Sequence, residues 1–171
     1  SYKNIPNAEV ISICDFNKSK ASEIAKKYNI NNFFYDSKKI TEDPNVDMVS
    51  ICSYDNFHAD QLISAFNNGK HVMVEKPVTL FKSESEKVIK AWKDSKCQIS
   101  SNLILRQSPR FKNIKKMIEE NKFGEIFHIE GDYIHNILHK ITTGWRGQMP
   151  FYCTVYGGGI HLIDLMRWLI N

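Results

Sequence analysis

The chain has 171 residues, 42% of them hydrophobic and 25% charged, which is ordinary for a globular protein and long enough to bury a core. Its formal net charge of +4 comes from lysines scattered along amphipathic stretches, such as Lys18, Lys20, Lys26 and Lys27. This pattern is typical of solvated helix faces rather than a nucleic-acid surface. No apolar run approaches a membrane span and no signal peptide opens the chain. We therefore expect a cytoplasmic protein that binds neither nucleic acid nor membranes.

In chain order, the first hundred residues alternate short apolar runs with amphipathic stretches. The pattern predicts strands over 9–14, 32–35, 48–52, 71–74 and 98–101, and helices near 18–28, 58–67 and 83–94. Residues 28–30 and Gly69 are expected to close the first two helices, and 41–47 is predicted as a polar turn. Such alternation is typical of βαβ units, so the predicted fold class is α/β with a doubly wound parallel sheet.

The pattern changes after Ser101. Ser108 and Pro109 are expected to cap a helix that presents Phe111, Ile114, Met117 and Ile118 on one face and ends at Gly124. The alternating segment 125–134 predicts a strand of a second, antiparallel sheet. Three glycines, 157–159, precede a helix that carries Leu162, Leu165, Trp168 and Leu169. The sequence thus predicts two domains, 1–101 and 102–171.

The four cysteines and two histidines are candidates for disulfide or metal sites. Cys14, Cys52, Cys97 and Cys153 are far apart, and the first three lie in apolar strand-like runs. Buried free thiols in a reducing compartment explain them better than disulfides or a metal site. His135 and His139 have the spacing of a metal pair, but no third ligand supports zinc, so no metal site is predicted.

Candidate functional residues follow the predicted strands. Ligands bind at the carboxyl ends of parallel strands, where Glu75, Lys76 and Pro77 end one strand and Asp15 directly follows another. Glu75 and Lys76 could instead be a solvated surface pair. A carboxylate at the Asp15 position would accept hydrogen bonds from an adenine-ribose hydroxyl and repel a 2′-phosphate, which favours NAD over NADP. The alternative for Asp15, or for Asn17, is a helix N-cap.

Two histidines are candidates for contact or proton transfer. His58 opens a helix after the loop Ser53-Tyr54-Asp55-Asn56-Phe57, where it could contact a cofactor or substrate or simply cap the helix. His161 and Asp164 share one helix face. His161 could be a general acid/base whose protonation is set by the Asp164 carboxylate, or the two could form a buried hydrogen bond without a catalytic role. Glycines 157–159 would let another element or a ligand approach closely.

The ordered set of these motifs resembles the Gfo/Idh/MocA family, the glucose-fructose oxidoreductase and inositol dehydrogenase relatives. The resemblance covers nearly the whole chain and is specific as an ordered set. It rests on Asp15, 47–51, His58, 69–72, 75–77, Arg106, Pro109, 124–126, Trp145, Arg146 and 159–164. It implies a Rossmann domain followed by an α/β domain with an open sheet, which often forms the oligomer interface. It also implies reversible hydride transfer between a nicotinamide and a secondary alcohol of a sugar, cyclitol or nucleotide-sugar.

The resemblance also assigns roles to residues. Lys76 matches the lysine beside the reacting hydroxyl and the nicotinamide ribose, and His161 matches the histidine proposed as proton acceptor. The cofactor-binding set it implies is Asp15, Ser53, Tyr54, His58, Glu75, Lys76 and Pro77. Arg106, Trp145, Arg146 and Asp164 are expected on the substrate side or as structural groups. The full protein is expected to be a homo-oligomer.

The chain departs from the family pattern in three respects. Many members have an aspartate four residues before the histidine, where this chain has Gly157, and a Thr-Pro-Asn-like loop where it has Ser53-Tyr54-Asp55. The first strand and Gly-rich phosphate turn, on the order of 20 residues, are expected before Ser1, and most of the second sheet is expected beyond Asn171. Gly157 leaves open an alternative function, a nucleotide-binding regulatory relative without catalysis.

Overall fold

Short parallel strands alternate with helices in the first unit, Ser1–Ser101, of the computed structural model, which describes residues 2–149 and 151–171. The strands are β1 (Ser12–Cys14), β2 (Asn32–Phe34), β3 (Met48–Ile51), β4 (His71–Val74) and β5 (Ile99–Ser101). The helices are α1 (Lys18–Tyr28), α2 (Lys38–Thr41), α3 (His58–Asn67) and α4 (Lys82–Ser95), with 3₁₀ turns at Tyr2–Asn4 and Asp55–Phe57. The predicted α/β class is confirmed. The four-residue α2 was not predicted, because a single helical turn is too short to produce a periodicity.

All strand pairs are parallel, in two groups. β3, β4 and β5 form a three-stranded sheet, with Ile51 beside Val74 and Val74 beside Ser101. β1 and β2 form a separate pair, with Cys14 beside Phe34. Among the residues that the structure describes, no ladder joins the two groups, so β1 and β3 are both edge strands. Each group therefore presents the ends of its strands, and the loops that follow them, at one edge.

The core of this unit lies between the three-stranded sheet and helices α3 and α4. Alternate residues of the strands are buried, including Val49 and Ile51 on β3 and Val72 and Val74 on β4. Each strand therefore buries one face, as the period of two requires. The helices supply the other half of the core, chiefly Leu62, Phe66 and Val88.

Helix ends in this unit follow the sequence signals. Asn17 caps α1 by accepting a hydrogen bond from the amide of Lys20 at 3.1 Å. Asn29 ends the same helix in the left-handed conformation, at φ 50°. Gly69 has φ +69° where the chain turns from α3 into β4, a conformation that glycine adopts without the Cβ penalty. These turns fix where β2 and β4 begin.

The second unit, Asn102–Asn171, is mainly helical. Its helices are α5 (Pro109–Glu119), α6 (Leu138–Thr142) and α7 (Ile160–Ile170), with a π-helical turn at Val155–Gly159 and 3₁₀ turns at Ile104–Gln107 and Trp145–Gln148. α7 contacts both α5 and the 3₁₀ turn Ile104–Gln107, and buries Leu165 and Leu169. No helix in the described part of the chain is long and apolar enough to span a membrane.

Two predictions for the second unit are wrong. The segment 125–134 is not a strand: it has no ladder partner among the described residues, and Phe127 and Ile134 are 95% and 94% exposed. Alternation alone does not make a strand, because the backbone groups need a paired neighbour. Helix α5 ends at Glu119, before the left-handed Asn121 (φ 54°), and not at Gly124, which lies in a later turn.

Candidate active site

Three loops of the first unit meet at the carboxyl ends of its strands. Asp15 and Phe16 follow β1, Ser53 and Tyr54 follow β3, and the Glu75–Pro77 turn follows β4. The ring of Phe16 contacts that of Tyr54 edge to face, with centroids 5.6 Å apart. This contact joins the loops of two strands that share no ladder. Phe16 is 67% exposed, so an aromatic surface is open to solvent beside Asp15.

Asp15 organises the turn that leads into α1. One carboxylate oxygen accepts a hydrogen bond from the amide of Asn17 at 2.9 Å, and the other lies 3.5 Å from Nζ of Lys20. The capping role considered for Asp15 or Asn17 falls to Asn17. The Asp15 side chain remains 29% exposed, so its carboxylate is accessible at the edge of the aromatic surface.

His58 is fully buried and connects two of these loops. Its Nδ1 lies 2.7 Å from the carbonyl oxygen of Pro77 and its Nε2 lies 3.2 Å from that of Ser53. Both neighbouring atoms are backbone carbonyl oxygens, one in the loop after β3 and one in the turn after β4, so the ring packs between the two segments. The side chain therefore positions neighbouring backbone. The sequence suggested contact with a cofactor or substrate, or helix capping. Contact between His58 and a cofactor stays a prediction.

The Glu75–Pro77 turn is held against β3. The amide of Glu75 donates to the carbonyl of Ile51 at 2.9 Å, and Pro77 is buried and preceded by a cis peptide bond. Glu75 and Lys76 are half-buried and both have interaction partners. The turn is therefore not a freely solvated surface pair. Lys76 is held at the edge where Ser53 and Tyr54 also lie.

In the second unit, Asp164 is bound by Arg106. The Arg106 Nε and Nη2 atoms donate to the two oxygens of Asp164 at 2.7 and 2.5 Å. This hydrogen-bonded pair raises the pKa of Arg106. The sequence suggested that Asp164 would serve His161. The structure pairs Asp164 with Arg106 instead, because α7 contacts the 3₁₀ turn Ile104–Gln107 on the face that carries this carboxylate.

His161 is buried and stacks on a tyrosine that the sequence motifs do not indicate. The ring of Tyr133 stacks on that of His161, with centroids 6.2 Å apart and planes at 24°. A Cβ added at Gly158 would lie 3.1 Å from the Tyr133 ring, and one at Gly157 only 2.0 Å from Oη of Tyr152. The predicted close approach at the glycines is therefore made by two tyrosine side chains. The glycine pair was the available signal, but it does not identify which residues approach.

Trp145 and Arg146 form a local stack. The guanidinium carbon of Arg146 lies 4.2 Å from the centroid of the Trp145 ring. Both residues are half-buried in the turn Trp145–Gln148. Substrate roles for these two residues, and for Arg106 and Asp164, remain predictions.

A cavity lined by residues of β3, β4 and β5 is not part of this arrangement. It has a volume of about 290 Å³ and is lined by Tyr2, Met48, His71, Val72, Met73, Gln98, Ile99 and Ser100. Met48 and His71 begin their strands and Gln98 directly precedes β5, so the cavity lies toward the amino ends. The candidate site is at the opposite ends of these strands.

The four cysteines are free thiols in different environments. Cys97 is buried, Cys14 and Cys153 are intermediate, and Cys52 is exposed, which corrects the prediction that these cysteines are buried. The residue after β3 points away from the core because it continues the exposed positions Met48 and Ser50. In the described parts of the chain, no three potential metal ligands come together.

Comparison with known proteins identifies relatives of both units. Residues 1–103 match the GFO_IDH_MocA description "Oxidoreductase family, NAD-binding Rossmann fold", and residues 111–171 match the "GFO/IDH/MocA C-terminal domain". The chain is 30% identical to levoglucosan dehydrogenase of Pseudarthrobacter phenanthrenivorans, covering 93% of this chain and 42% of that protein. It is 27% identical to scyllo-inositol 2-dehydrogenase (NAD(+)) of Bacillus subtilis, covering 98% and 48%.

Solved structures share the fold. That of scyllo-inositol dehydrogenase from Lactobacillus casei with bound NAD(H) and scyllo-inositol has a TM-score of 0.88 at 22% identity, covering 98% of this chain and 50% of that one. A levoglucosan dehydrogenase complex with NADH and levoglucosan has a TM-score of 0.77 at 26% identity, covering 94% and 44%. The chain spans about half the length of the relatives it matches.

Proposed function

Because the chain belongs to the GFO/IDH/MocA family of NAD-binding oxidoreductases, we propose that it binds NAD and acts as a dehydrogenase. The reaction is hydride transfer, in either direction, between nicotinamide and a secondary alcohol. The observation that carries the proposal is the meeting of three strand-end loops, in which Tyr54 touches Phe16 and His58 joins Ser53 to Pro77. Ligands of parallel α/β sheets bind at this edge.

The residues at this edge fit the adenosine half of NAD. The accessible carboxylate of Asp15 can accept hydrogen bonds from ribose hydroxyls. The exposed ring of Phe16 beside it offers an aromatic face against which adenine can stack. Ser53 and Tyr54, on the next loop, extend the same surface. A carboxylate at the ribose disfavours a 2′-phosphate, so NAD is the preferred cofactor.

Lys76 and His161 are the residues that we propose take part in the reaction. When bound, the nicotinamide supplies the hydride acceptor or donor. The Lys76 ammonium stabilises the alkoxide that develops as the substrate hydroxyl loses its proton, and Glu75 and Pro77 hold the turn that presents it. His161 is the residue that we propose as the proton acceptor. Each role is assigned within its own unit and rests on the family resemblance of the surrounding motif.

The substrate that we propose is a polyhydroxylated ring. Two of the relatives are named for levoglucosan and scyllo-inositol, which are both cyclic compounds with several secondary hydroxyls. A sugar, a cyclitol or a nucleotide-sugar satisfies this chemistry.

The test is NADH formation by the protein in its native length, measured at 340 nm with a panel of cyclitols, anhydrosugars, sugars and nucleotide-sugars. We expect turnover with at least one ring polyol, and a loss of about 100-fold in kcat for Lys76→Met, typical of removing a transition-state charge stabiliser. The matched control is Lys82→Met, because Lys82 is 92% exposed and pairs only weakly with Glu86 at 3.8 Å. Turnover by Lys76→Met at the wild-type rate would contradict the assignment.

The same assay discriminates the regulatory alternative. A nucleotide-binding relative without catalysis would bind NAD, as measured by calorimetry, but would reduce none with any substrate. Any NADH formation above the rate of the His161→Asn variant excludes that alternative.

A further inference from the structure

The orientation of the His161 ring decides whether it can exchange a proton with a bound alcohol. A general base must come within about 2.6–3.2 Å of the group whose proton it removes. The ring torsion of a histidine is broad and roughly two-fold, so rotation about it turns the nitrogens away from any fixed point. A group packed against the flat face of the ring restricts that rotation. The residue on that face therefore helps to decide where the nitrogens point.

Tyr133 packs on the face of the His161 ring. The two ring centroids are 6.2 Å apart and the planes meet at 24°, a stacked arrangement. This separation lies within the range of about 4.5–7 Å over which aromatic side chains interact. His161 is only 6% exposed whereas Tyr133 is 43% exposed, so the tyrosine reaches from the surface to the buried histidine. Rotation of the imidazole out of the stack would press its edge toward the tyrosine ring.

The missing side chain at Gly158 makes room for the Tyr133 ring. A Cβ added at Gly158 would lie 3.1 Å from Cε1 and 3.3 Å from Cδ1 of Tyr133. Both distances are shorter than the favourable separation of carbon atoms, about 3.5–4.0 Å. At Gly159, by contrast, an added Cβ would meet Val155 at 3.6 Å, an ordinary contact. The position of the tyrosine ring therefore depends on glycine at 158 and not at 159.

The chain segment that carries Tyr133 is anchored against α7 at the same place. A Cβ added at Gly131 would lie only 2.8 Å from Cδ1 of Leu162, so the backbone at Gly131 runs close to that side chain. His135 meets the Tyr133 ring edge to face, with centroids 6.4 Å apart. Ile134, between them, is 94% exposed. Although this segment forms no strand, its alternate residues hold the tyrosine in a defined place.

We propose that Tyr133 is a positioning residue for His161, whose aromatic ring, seated over Gly158, holds the imidazole in the orientation from which it accepts the substrate proton. The role belongs to the ring and not to the hydroxyl. Tyr133 gains and loses no proton: in alcohol oxidation the hydroxyl proton goes to His161 and the hydride goes to NAD. The inference rests on the proposed function for its catalytic consequence, but the order of the histidine ring can be measured separately.

The first test is NMR relaxation of the His161 ring in wild-type protein, Tyr133→Phe and Tyr133→Leu. Histidine is labelled with ¹³C in the ring, and the signal of His161 is assigned by its loss in His161→Asn. We expect the order parameter of the ring C–H bonds to fall in Tyr133→Leu, which removes the flat face, and to stay at the wild-type value in Tyr133→Phe. Phe127→Leu is the matched control, because it makes the same aromatic-to-leucine change in the same segment at a side chain that is 95% exposed. Its His161 order should equal that of the wild type.

Kinetics of the native-length protein supply the second readout. Tyr133→Leu should lower kcat about 10-fold and change KM and the Kd of NAD less than about twofold, because a misdirected base slows the reaction without weakening binding. Tyr133→Phe should keep kcat within about twofold of wild type. Gly158→Ala, which displaces the ring, should lower kcat in wild type and have a smaller effect in the Tyr133→Leu background. Gly159→Ala is its matched control and should leave kcat unchanged. The glycine pair also tests the proposal if Tyr133→Leu unfolds.

The outcomes separate this inference from the proposed function. Unchanged order of the His161 ring in folded Tyr133→Leu overturns the role of Tyr133, whatever the activity. Equal losses of kcat in Tyr133→Phe and Tyr133→Leu would assign the effect to the hydroxyl and also overturn it, as would additive effects of Gly158→Ala and Tyr133→Leu. Reduced ring order in Tyr133→Leu, in a protein whose wild type reduces no NAD, supports the positioning contact and contradicts the dehydrogenase function.

Discussion

At the residue scale, the partner of each polar side chain decides which roles are open to it. His58 is enclosed between two backbone carbonyls, so its contribution is to hold loops in place. Asp164 is bound by a guanidinium, so it cannot also be the free carboxylate of a catalytic pair. Asp15 keeps an accessible carboxylate after satisfying the local turn. Of these three, Asp15 is the residue placed to meet a ligand directly.

The Arg106–Asp164 pair is expected to stabilise the second unit. Arg106→Ala leaves a largely buried carboxylate without its two charged donors, and should lower the free energy of unfolding by about 1–2 kcal/mol. The estimate is at the low end for buried charge pairs because the Arg106 side chain is 42% exposed and screened by solvent. Urea unfolding is the measurement. Arg110→Ala is the control, since this exposed arginine stacks on its neighbour Phe111; an equal loss in both variants would show that the pair adds no stability.

The cysteines should differ in reactivity toward iodoacetamide. Burial, and then the nearby charges of Asp36 and Asp15, raise the pKa of the Cys14 thiol. Since only the thiolate reacts, a raised pKa means less thiolate below it, so Cys14 should react slowly at pH 8 and faster as the pH rises. The exposed Cys52 should react first. Mass spectrometry of a time course measures the order, with the urea-unfolded protein as control, and equal rates for Cys14 and Cys52 in the folded protein would contradict the prediction.

At the scale of elements, short turns determine where the site residues are placed. Gly69 turns the chain from α3 into β4, the strand that ends at the Glu75–Pro77 turn. Its φ of +69° favours glycine, although the space around a Cβ is open. The cost of another residue there is therefore in the backbone and not in packing.

Gly69→Ala should accordingly destabilise the first unit by about 1 kcal/mol, the penalty of a left-handed alanine. Asn29→Gly is the converse control, since Asn29 has φ 50° at the end of α1 and glycine relieves that conformation. Its free energy of unfolding should be equal to or slightly above that of the wild type. Urea unfolding compares the two, and a Gly69→Ala variant as stable as wild type would show that this turn relaxes without cost.

The elements of the first unit were predictable because their signals are local. The α1 and α3 bounds, 18–28 and 58–67, follow from periodicity and from the turn residues at their ends. The second unit was harder: 125–134 alternates like a strand, but pairing depends on a neighbour that its own sequence does not specify. For the candidate site, the strand-end positions of Asp15 and Lys76 were predictable from the order of strands and helices along the chain. The Arg106–Asp164 pair and the Tyr152–Gly157 approach were not, because each joins residues through tertiary packing.

At the scale of the whole molecule, the chain combines a Rossmann-type unit with a helical unit, each matched by its own family description. The strand-end surface of the first unit provides groups that suit a dinucleotide. The second provides a buried histidine that stacks on a tyrosine. Homo-oligomerisation remains a prediction, which size-exclusion chromatography with light scattering on the native-length protein can test.

Cofactor preference should appear in the stability of the whole protein, because a ligand that binds only the folded state raises its unfolding temperature. At a concentration of 100 times Kd, the gain is about 2.7 kcal/mol. We expect a larger thermal shift with NAD than with NADP at equal concentration, since the Asp15 carboxylate favours ribose hydroxyls and repels a 2′-phosphate. Equal shifts with the two cofactors would contradict this preference.

Asp15→Ala should reverse the preference for NAD over NADP. The substitution removes the acceptor for the ribose hydroxyls, and it frees Lys20, whose Nζ lies 3.5 Å from the Asp15 carboxylate in the wild type. The NAD shift should fall and the NADP shift should rise, since the ammonium can then bind the phosphate. Asp15→Ala combined with Lys20→Ala is the matched control, which should lose the gain with NADP without recovering the shift with NAD. If Asp15→Ala leaves both shifts unchanged, the carboxylate only organises the turn before α1.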